Sequence, residues 1–113
     1  MHELSLAESV MRIIEEEARA QNFQRVRSVT LEVGKLAAVE PAAMRFAFAA
    51  VTRDTLAEGA RLELIEISGQ GCCADCAATV EMDEILALCP ECGSGRVRVT
   101  GGDRMRVLEL EAE

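Results

Sequence analysis

The sequence predicts an α+β fold in which two helices pack on a mainly antiparallel three-stranded sheet. Three observations predict this fold. Two segments repeat apolar residues at helical spacing, and three shorter segments have the pattern of strands. A stretch that contains all five cysteines and is bracketed by glycines lies between the second and the third of these strands. We therefore expect a main domain formed by residues 1–68 and 102–113, with residues 69–101 inserted as a mini-domain.

The first helix is predicted to run from about Ser5 to Ala20. Ser5 and Glu8 have the spacing of a capping box, in which each side chain binds a free backbone N–H of the first turn. Apolar residues then recur on one helical face, namely Leu6, Val10, Ile14 and Ala18. This face should pack against the sheet.

A strand and a second helix follow. Apolar and polar residues alternate from Arg27 to Val33 and the pattern stops at Gly34, which predicts a half-buried strand. Pro41 suits the first turn of a helix because its φ is already helical. The predicted helix extends to Leu56, and its apolar face contains Met44, Ala47, Phe48 and Val51.

Two further strands are predicted on either side of the cysteines. The first runs from Arg61 to Ile67, and the second begins near Met105 and ends near Leu110. Their similar apolar patterns suggest that they belong to the same sheet. The glycines at 69, 71, 101 and 102 mark where the inserted mini-domain leaves and rejoins it.

Composition excludes several classes of protein. Twelve basic residues against 20 acidic ones give a net charge of −8, which repels nucleic acid. The chain shows no signal peptide and no apolar run of about 18 residues that could span a membrane. We expect a cytoplasmic protein with no nucleic-acid or membrane partner. In that reducing compartment the five cysteines are expected to bind metal rather than form disulfides.

Four cysteines form two Cys-x-x-Cys pairs, Cys73 with Cys76 and Cys89 with Cys92, separated by 12 residues. Two such knuckles can surround one Zn(II) ion with a tetrahedron of thiolates, as in a zinc ribbon. Four protein ligands leave no open position, so this site is expected to be structural. The alternatives are a redox pair or buried thiols without metal.

Cys72 is the fifth cysteine and directly precedes Cys73. It is either a bystander thiol or a competitor of Cys73 for the metal. Pairing Cys73 with Cys76 keeps both knuckles standard, whereas pairing Cys72 with Cys76 would leave three residues between the ligands.

The amino terminus carries the only histidine of the chain, His2, followed by Glu3. One interpretation is a surface residue at a frayed end. A second is a chelate, because the terminal amine, the next amide nitrogen and the imidazole of residue 2 can form adjacent rings around Ni(II) or Cu(II). This chelate requires Met1 to be retained, which the bulky His2 favours.

Further short motifs accompany the cysteine spacing: the start Met1-His2-Glu3-Leu4-Ser5-Leu6, the pair Val33-Gly34 and the pair Val39-Glu40. With these motifs, over essentially its whole length, the chain resembles the HypA/HybF nickel metallochaperones of hydrogenase maturation. The zinc motif alone is generic, whereas its combination with the Met-His-Glu start is specific.

The resemblance implies that Met1, His2 and Glu3 bind Ni(II) as transient cargo, while Zn(II) is structural. It also implies delivery to the [NiFe]-hydrogenase large subunit, cooperation with a HypB-type GTPase accessory protein and, in some members, service to urease maturation factors. Glu40 falls where the family places an acidic residue near the nickel site. Its alternative role is that of a carboxylate at the start of a helix.

Two other functions predict different sequence features. A zinc-ribbon module that binds RNA or the transcription machinery would need a basic face with aromatic residues. Four arginines lie at 96, 98, 104 and 106, but the cysteine segment has no aromatic residue. An enzyme is not expected, because a single terminal histidine offers no catalytic set.

Overall fold

The computed structural model describes residues 2–113. These residues form two helices and six strands: α1 (His2–Gln21), β1 (Val26–Gly34), α2 (Pro41–Val51), β2 (Arg61–Ile67), β3 (Gly69–Cys73), β4 (Thr79–Met82), β5 (Val97–Gly101) and β6 (Met105–Ala112). A 3₁₀ turn, Lys35–Ala37, follows β1. The predicted α+β class is confirmed, and a second sheet is added to it.

Helix α1 begins at His2, three residues earlier than predicted. Ser5 therefore lies inside the helix, and the capping-box prediction is wrong. The acidic Glu3 favours this earlier start because a carboxylate is stabilised near the positive end of the helix dipole. The predicted apolar face is correct in phase, since its buried residues are Ala7, Val10, Met11 and Ile14.

Helix α2 begins at Pro41 as predicted and is capped by Glu40, whose carboxylate accepts a hydrogen bond from the backbone N–H of Ala43. It ends at Val51 rather than at Leu56. The Thr52 hydroxyl donates to the Phe48 carbonyl at 2.8 Å, and Asp54 adopts a left-handed conformation with a φ of 61°. Both features end a helix, because they use its last carbonyl groups or turn the backbone away.

The first sheet has the strand order β2-β1-β6. β6 runs antiparallel to β1, since Glu113 donates to the Arg25 carbonyl at one end and Gly34 donates to the Arg104 carbonyl at the other. The central strand β1 is the most buried of the three, with Val26, Val29 and Leu31 fully covered. Burial of each such aliphatic side chain contributes about 1.5–3 kcal/mol.

The second sheet has the order β4-β3-β5, and β3 is antiparallel to both neighbours. None of these three short strands was predicted, although Thr79–Met82 and Val97–Val99 both alternate polar and apolar residues. Its core is the cluster of Leu36, Cys73, Val80, Met82 and Cys89.

Gly102 forms the turn between β5 and β6. Its φ is 73°, and a β-carbon at this position would overlap the Ser68 carbonyl oxygen and the Gly69 backbone. Only glycine combines a left-handed backbone with so close an approach.

The chain divides into two compact units. The helical unit consists of the chain up to Leu31 with Val39–Ile65 and Val107–Glu113, and the cysteine unit consists of Glu32–Ala38 with Glu66–Arg106. The predicted domain boundaries at residues 68, 69, 101 and 102 stay a prediction. Neither helix formed by residues 2–113 is long and apolar enough to cross a membrane.

Candidate metal centres

The first cysteine knuckle follows directly from β3. Cys73 ends the strand, and the chain then turns so that the backbone N–H of Ala77 donates to the Cys73 carbonyl at 2.9 Å. Ala77 has a φ of 64°, a left-handed conformation that is unusual for a residue with a β-carbon. The turn brings the Cys76 sulfur to the same side as the Cys73 sulfur.

The second knuckle repeats this geometry. Gly93 donates to the Cys89 carbonyl at 2.7 Å and has a φ of 78°. In addition, the backbone N–H of Cys89 donates to the Ser94 carbonyl at 2.9 Å. Each knuckle therefore has a left-handed residue directly after its second cysteine, which is glycine in one knuckle and alanine in the other.

The four sulfurs of Cys73, Cys76, Cys89 and Cys92 all lie within 4.8 Å of one another. The Cys73 and Cys92 sulfurs are 3.6 Å apart, and those of Cys76 and Cys89 are 3.7 Å apart. A regular tetrahedron with zinc–sulfur bonds of about 2.3 Å has sulfur–sulfur edges of about 3.8 Å. The arrangement therefore fits a four-coordinate thiolate site for an ion of the size and softness of Zn(II).

The thiols of this cluster strongly affect one another. A hydrogen bond from the Cys76 backbone N–H, with further donors nearby, lowers the pKa of Cys73 to about 7. The Ser94 backbone N–H also lowers the pKa of Cys92, but the hydrogen bond to the Cys73 sulfur, desolvation and the other thiols together raise it to about 12. Four thiolates cannot coexist at this spacing without a cation, which is the charge that a divalent metal supplies.

Side chains outside the cluster link the two knuckles. The Asp75 carboxylate accepts a hydrogen bond from the Ser94 hydroxyl and forms an ion pair with Arg96 at 2.9 Å. The backbone N–H of Arg96 donates in turn to the Ser94 hydroxyl at 3.0 Å. Sequence reasoning missed this bridge, because no local pattern connects Asp75 to partners 19 and 21 residues later.

Cys72 lies outside the four-sulfur cluster. It is the residue before Cys73 on β3, and successive side chains of a strand point to opposite faces. Its sulfur is 3.9 Å from the Cys73 carbonyl oxygen. The structure therefore brings together the four cysteines of the standard spacing.

The basic residues that suggested a nucleic-acid module are partly neutralised. Arg96 is paired with Asp75, and Arg106 forms an ion pair with Glu32 at 3.0 Å. Of the four arginines at 96, 98, 104 and 106, Arg98 and Arg104 form no ion pair with another described residue. This is a small basic surface on a chain with a net charge of −8.

A second group of candidate ligands lies at the start of α1. The His2 side chain is 49 % exposed, and its Nδ1 lies 3.6 Å from the Glu3 carboxylate, which is 15 % exposed. The backbone N–H of Glu40 donates to the other oxygen of Glu3 at 3.1 Å. This hydrogen bond is the main reason why the pKa of Glu3 is lowered. Met1 lies outside the described residues.

Glu40 joins this group through its backbone. Its side chain caps α2, with Oε2 accepting from the Ala43 N–H at 2.7 Å. The role of a helix-start carboxylate, one of the two that the sequence allowed, is therefore observed. The hydrogen bond from Glu40 to Glu3 also brings the first turns of both helices close together, so that two carboxylates lie near their positive ends.

The matches to known proteins extend over essentially the whole chain. The sequence model of the family described as "Hydrogenase/urease nickel incorporation, metallochaperone, hypA" matches residues 1–112. The hydrogenase maturation factors HypA of Azotobacter chroococcum and of Albidiferax ferrireducens are each 53 % identical over 113 residues, with 100 % of both chains covered. The solution structure of the Ni metallochaperone HypA from Helicobacter pylori superposes with a TM-score of 0.74 and 26 % identity, covering 99 % of this chain and 97 % of that one.

Proposed function

The chain belongs to the HypA family of hydrogenase and urease nickel-incorporation metallochaperones, and on this basis we propose that it binds Ni(II) at its amino terminus and delivers it to a [NiFe]-hydrogenase large subunit. Such a protein is a carrier and not an enzyme. The observation on which the proposal depends is the half-exposed His2 at the start of α1, next to a Glu3 carboxylate that is anchored to Glu40.

The nickel ligands of this proposal are the amine of Met1, the amide nitrogen and imidazole of His2, and Glu3. The first backbone N–H groups of a helix have no acceptor within the helix, so a metal can replace their protons without breaking a helical hydrogen bond. Nitrogen ligands of this kind suit Ni(II). Glu3 and Glu40 supply negative charge that offsets the positive end of the helix dipole, which would otherwise repel a cation.

Zn(II) is the proposed occupant of the four-cysteine cluster, where it would be structural. With Cys73, Cys76, Cys89 and Cys92 as ligands, the ion has no position for water or substrate. The cluster residues Cys73 and Cys89 are also part of the hydrophobic core around Val80 and Met82, so the metal would hold this core together. The two metals thereby have different tasks, since a closed cage retains its ion and an exposed terminal chelate can release it.

The partners of this carrier are proposed from the family. They are a HypB-type GTPase accessory protein and the hydrogenase large subunit, and urease maturation factors are a further candidate because the family also serves urease. The cytoplasm is the proposed compartment, because five free cysteines are kept reduced there.

Calorimetric nickel titration of zinc-loaded, untagged protein tests the proposal. Three proteins are compared: the native chain, His2→Ala, and a variant with one extra residue before Met1. We expect one nickel ion bound to the native chain. Both variants should lose this binding at the same concentration, because one lacks the imidazole and the other moves the amine out of the chelate ring.

Zinc content measured on the same samples is the control. All three proteins should retain one zinc ion, since His2 and the four cysteines lie in different units. Equal nickel binding by the native chain and the extended variant would contradict the proposal, because the site would then not require the terminal amine.

A further inference from the structure

Helix α2 has an apolar side that faces outward. Phe46 is 79 % exposed, whereas Phe48, two residues later, is 3 % exposed. At about 100° per residue, the side chains at 42, 46, 49 and 50 share one face of the helix and those at 44, 47, 48 and 51 share the other. The first set is exposed and consists of Ala42, Phe46, Ala49 and Ala50.

Phe46 is not needed for the core of the helical unit. The buried residues of α2 are Met44, Ala47 and Phe48, on its inward face. The alanines around Phe46 have short side chains, so the ring stands above them and is accessible from outside. Covering an exposed phenyl ring with a partner is favourable because it removes apolar surface from water. A central aromatic residue is a common anchor of protein interfaces.

The charge of this region differs from that of the whole chain. Between the capping Glu40 and the exposed Asp54, the sequence contains Arg45 and Arg53 but no acidic residue, although the chain has 20 acidic residues against 12 basic ones. No ion pair formed within residues 2–113 involves either arginine. Arg45 donates to the Leu62 carbonyl at 2.6 Å, while Arg53 follows the end of the helix and is exposed.

The same helix starts at the proposed nickel site. Glu40 caps α2 and is hydrogen-bonded through its backbone to Glu3. Phe46 lies six positions after Glu40, which corresponds to about 9 Å along a helix axis. A protein bound over Phe46 would therefore lie close to the start of α2, where the Glu40 backbone is hydrogen-bonded to Glu3.

We propose that the outward face of α2, with Phe46 as anchor and Arg53 at its rim, is the docking surface for the protein that accepts nickel. This inference rests on the proposed function. The complementary partner surface is an apolar pocket that receives the phenyl ring and has carboxylates at its edge. Docking there brings acceptor ligands to the amino terminus, so that the ion can pass by ligand exchange.

The test measures binding of zinc-loaded, nickel-loaded protein to an immobilised precursor of a [NiFe]-hydrogenase large subunit. The variants are Phe46→Ala and Arg53→Glu, and the matched control is Leu86→Ala. Leu86 is 90 % exposed but lies in the cysteine unit beside Asp83 and Glu84, so its surface has the opposite charge. Nickel titration and thermal unfolding of each variant are measured in parallel.

We expect Phe46→Ala to weaken binding to the precursor by at least about tenfold. Arg53→Glu should weaken it as well, and added salt should reduce the difference between Arg53→Glu and the native chain, because salt screens exposed charges. Leu86→Ala should bind like the native chain. Nickel affinity and melting temperature should be unchanged in all three variants, since these side chains point outward.

Unchanged binding by Phe46→Ala, or native nickel binding without any binding to the precursor, would overturn the docking surface while leaving the nickel carrier intact. If the native chain did not bind nickel, the proposed function itself would be refuted. The inference would also be overturned if Phe46 were required only for self-association or only for binding to the GTPase. Phe46-dependent binding to anionic phosphatidylglycerol vesicles, without binding to the precursor, would also overturn the inference.

Discussion

The Glu3 carboxylate accepts a hydrogen bond from the backbone N–H of Glu40, at 3.1 Å and across 37 residues of sequence. Glu40 itself caps α2 through its own carboxylate. The starts of the two helices are thus connected by a single charged group, which is also adjacent to the candidate nickel ligand His2. A change at Glu3 should therefore be detected at the start of α2.

Glu3→Ala removes the acceptor of the Glu40 N–H. We expect the Glu40 amide proton to exchange faster with solvent, because water replaces a charge-assisted hydrogen bond. Glu3→Gln should have a smaller effect, since the amide oxygen can still accept this hydrogen bond. Amide hydrogen exchange measured by NMR on zinc-loaded protein gives the comparison.

Glu8→Ala serves as the control for the Glu3 variants, because Glu8 is an exposed acid on the same helix. It should leave exchange at Glu40 unchanged. The interpretation would be wrong if Glu3→Ala and Glu8→Ala had the same effect.

Substitution of the two adjacent cysteines distinguishes ligand from bystander. Cys73→Ser should lose the four-thiolate site, since Cys73 belongs to the sulfur cluster, whereas Cys72→Ser should keep it. Cobalt(II) in place of zinc gives thiolate charge-transfer absorption whose intensity reports the number of sulfur ligands. We expect native intensity in Cys72→Ser and a clear loss in Cys73→Ser.

Zinc content should follow the cobalt spectra. One zinc ion per chain is expected in Cys72→Ser, and weakened or absent zinc in Cys73→Ser. The reverse pattern would assign the first ligand to Cys72 and would require the end of β3 to rearrange.

Ala77 carries backbone strain that glycine would relieve. Its φ is 64°, and a left-handed residue with a β-carbon costs about 1–2 kcal/mol. Glycine loses about 0.5–1 kcal/mol more conformational freedom on folding, which offsets part of this gain. We therefore expect Ala77→Gly to stabilise zinc-loaded protein by up to about 1 kcal/mol in urea unfolding.

Ala78→Gly is the matched control, because Ala78 is not among the residues with a positive φ. Glycine there adds conformational freedom to the unfolded chain and removes a methyl group that packs against the core of the cysteine unit, so it should destabilise the protein. Equal effects at 77 and 78 would show that the left-handed conformation of Ala77 is not a source of strain.

The ion pair between Lys35 and Asp83 predicts a pH effect. The two groups lie 3.2 Å apart, and the hydrogen bond to the carboxylate raises the pKa of Lys35. A raised pKa in the folded state means that the pair stabilises the protein below the unfolded pKa of lysine, about 10.4. This contribution is lost as the pH rises through the folded pKa.

Thermal unfolding of Lys35→Met and the native chain measures this effect. The native chain should melt slightly higher at pH 8, and the difference should disappear once the pH exceeds the raised pKa of Lys35. The effect is small because the pair is exposed. Lys35→Arg should keep its advantage above this pKa, since arginine remains charged. A difference between Lys35→Met and the native chain that does not vary with pH would rule out the ion pair as its cause.

Local patterns in the sequence were sufficient for much of this molecule. The apolar faces of α1 and α2 were predicted in correct phase, because the spacing that places Val10 with Ile14 and Met44 with Phe48 is a property of the helix itself. β2 was predicted with its observed bounds. The four cysteines were identified because a knuckle is formed by residues close in sequence. The resemblance to the HypA family was recognised from the same short motifs and is confirmed by the family match.

Contacts between distant residues were decided only by the tertiary structure. The sheet of β3, β4 and β5 depends on pairing partners from separate segments, and its strands are too short for periodicity alone to reveal them. The hydrogen bond of Glu3 with Glu40, the bridge from Asp75 to Ser94 and Arg96, and the exposure of Phe46 have the same origin. Each depends on which elements pack together, because that packing determines which apolar residues are covered and which polar groups meet.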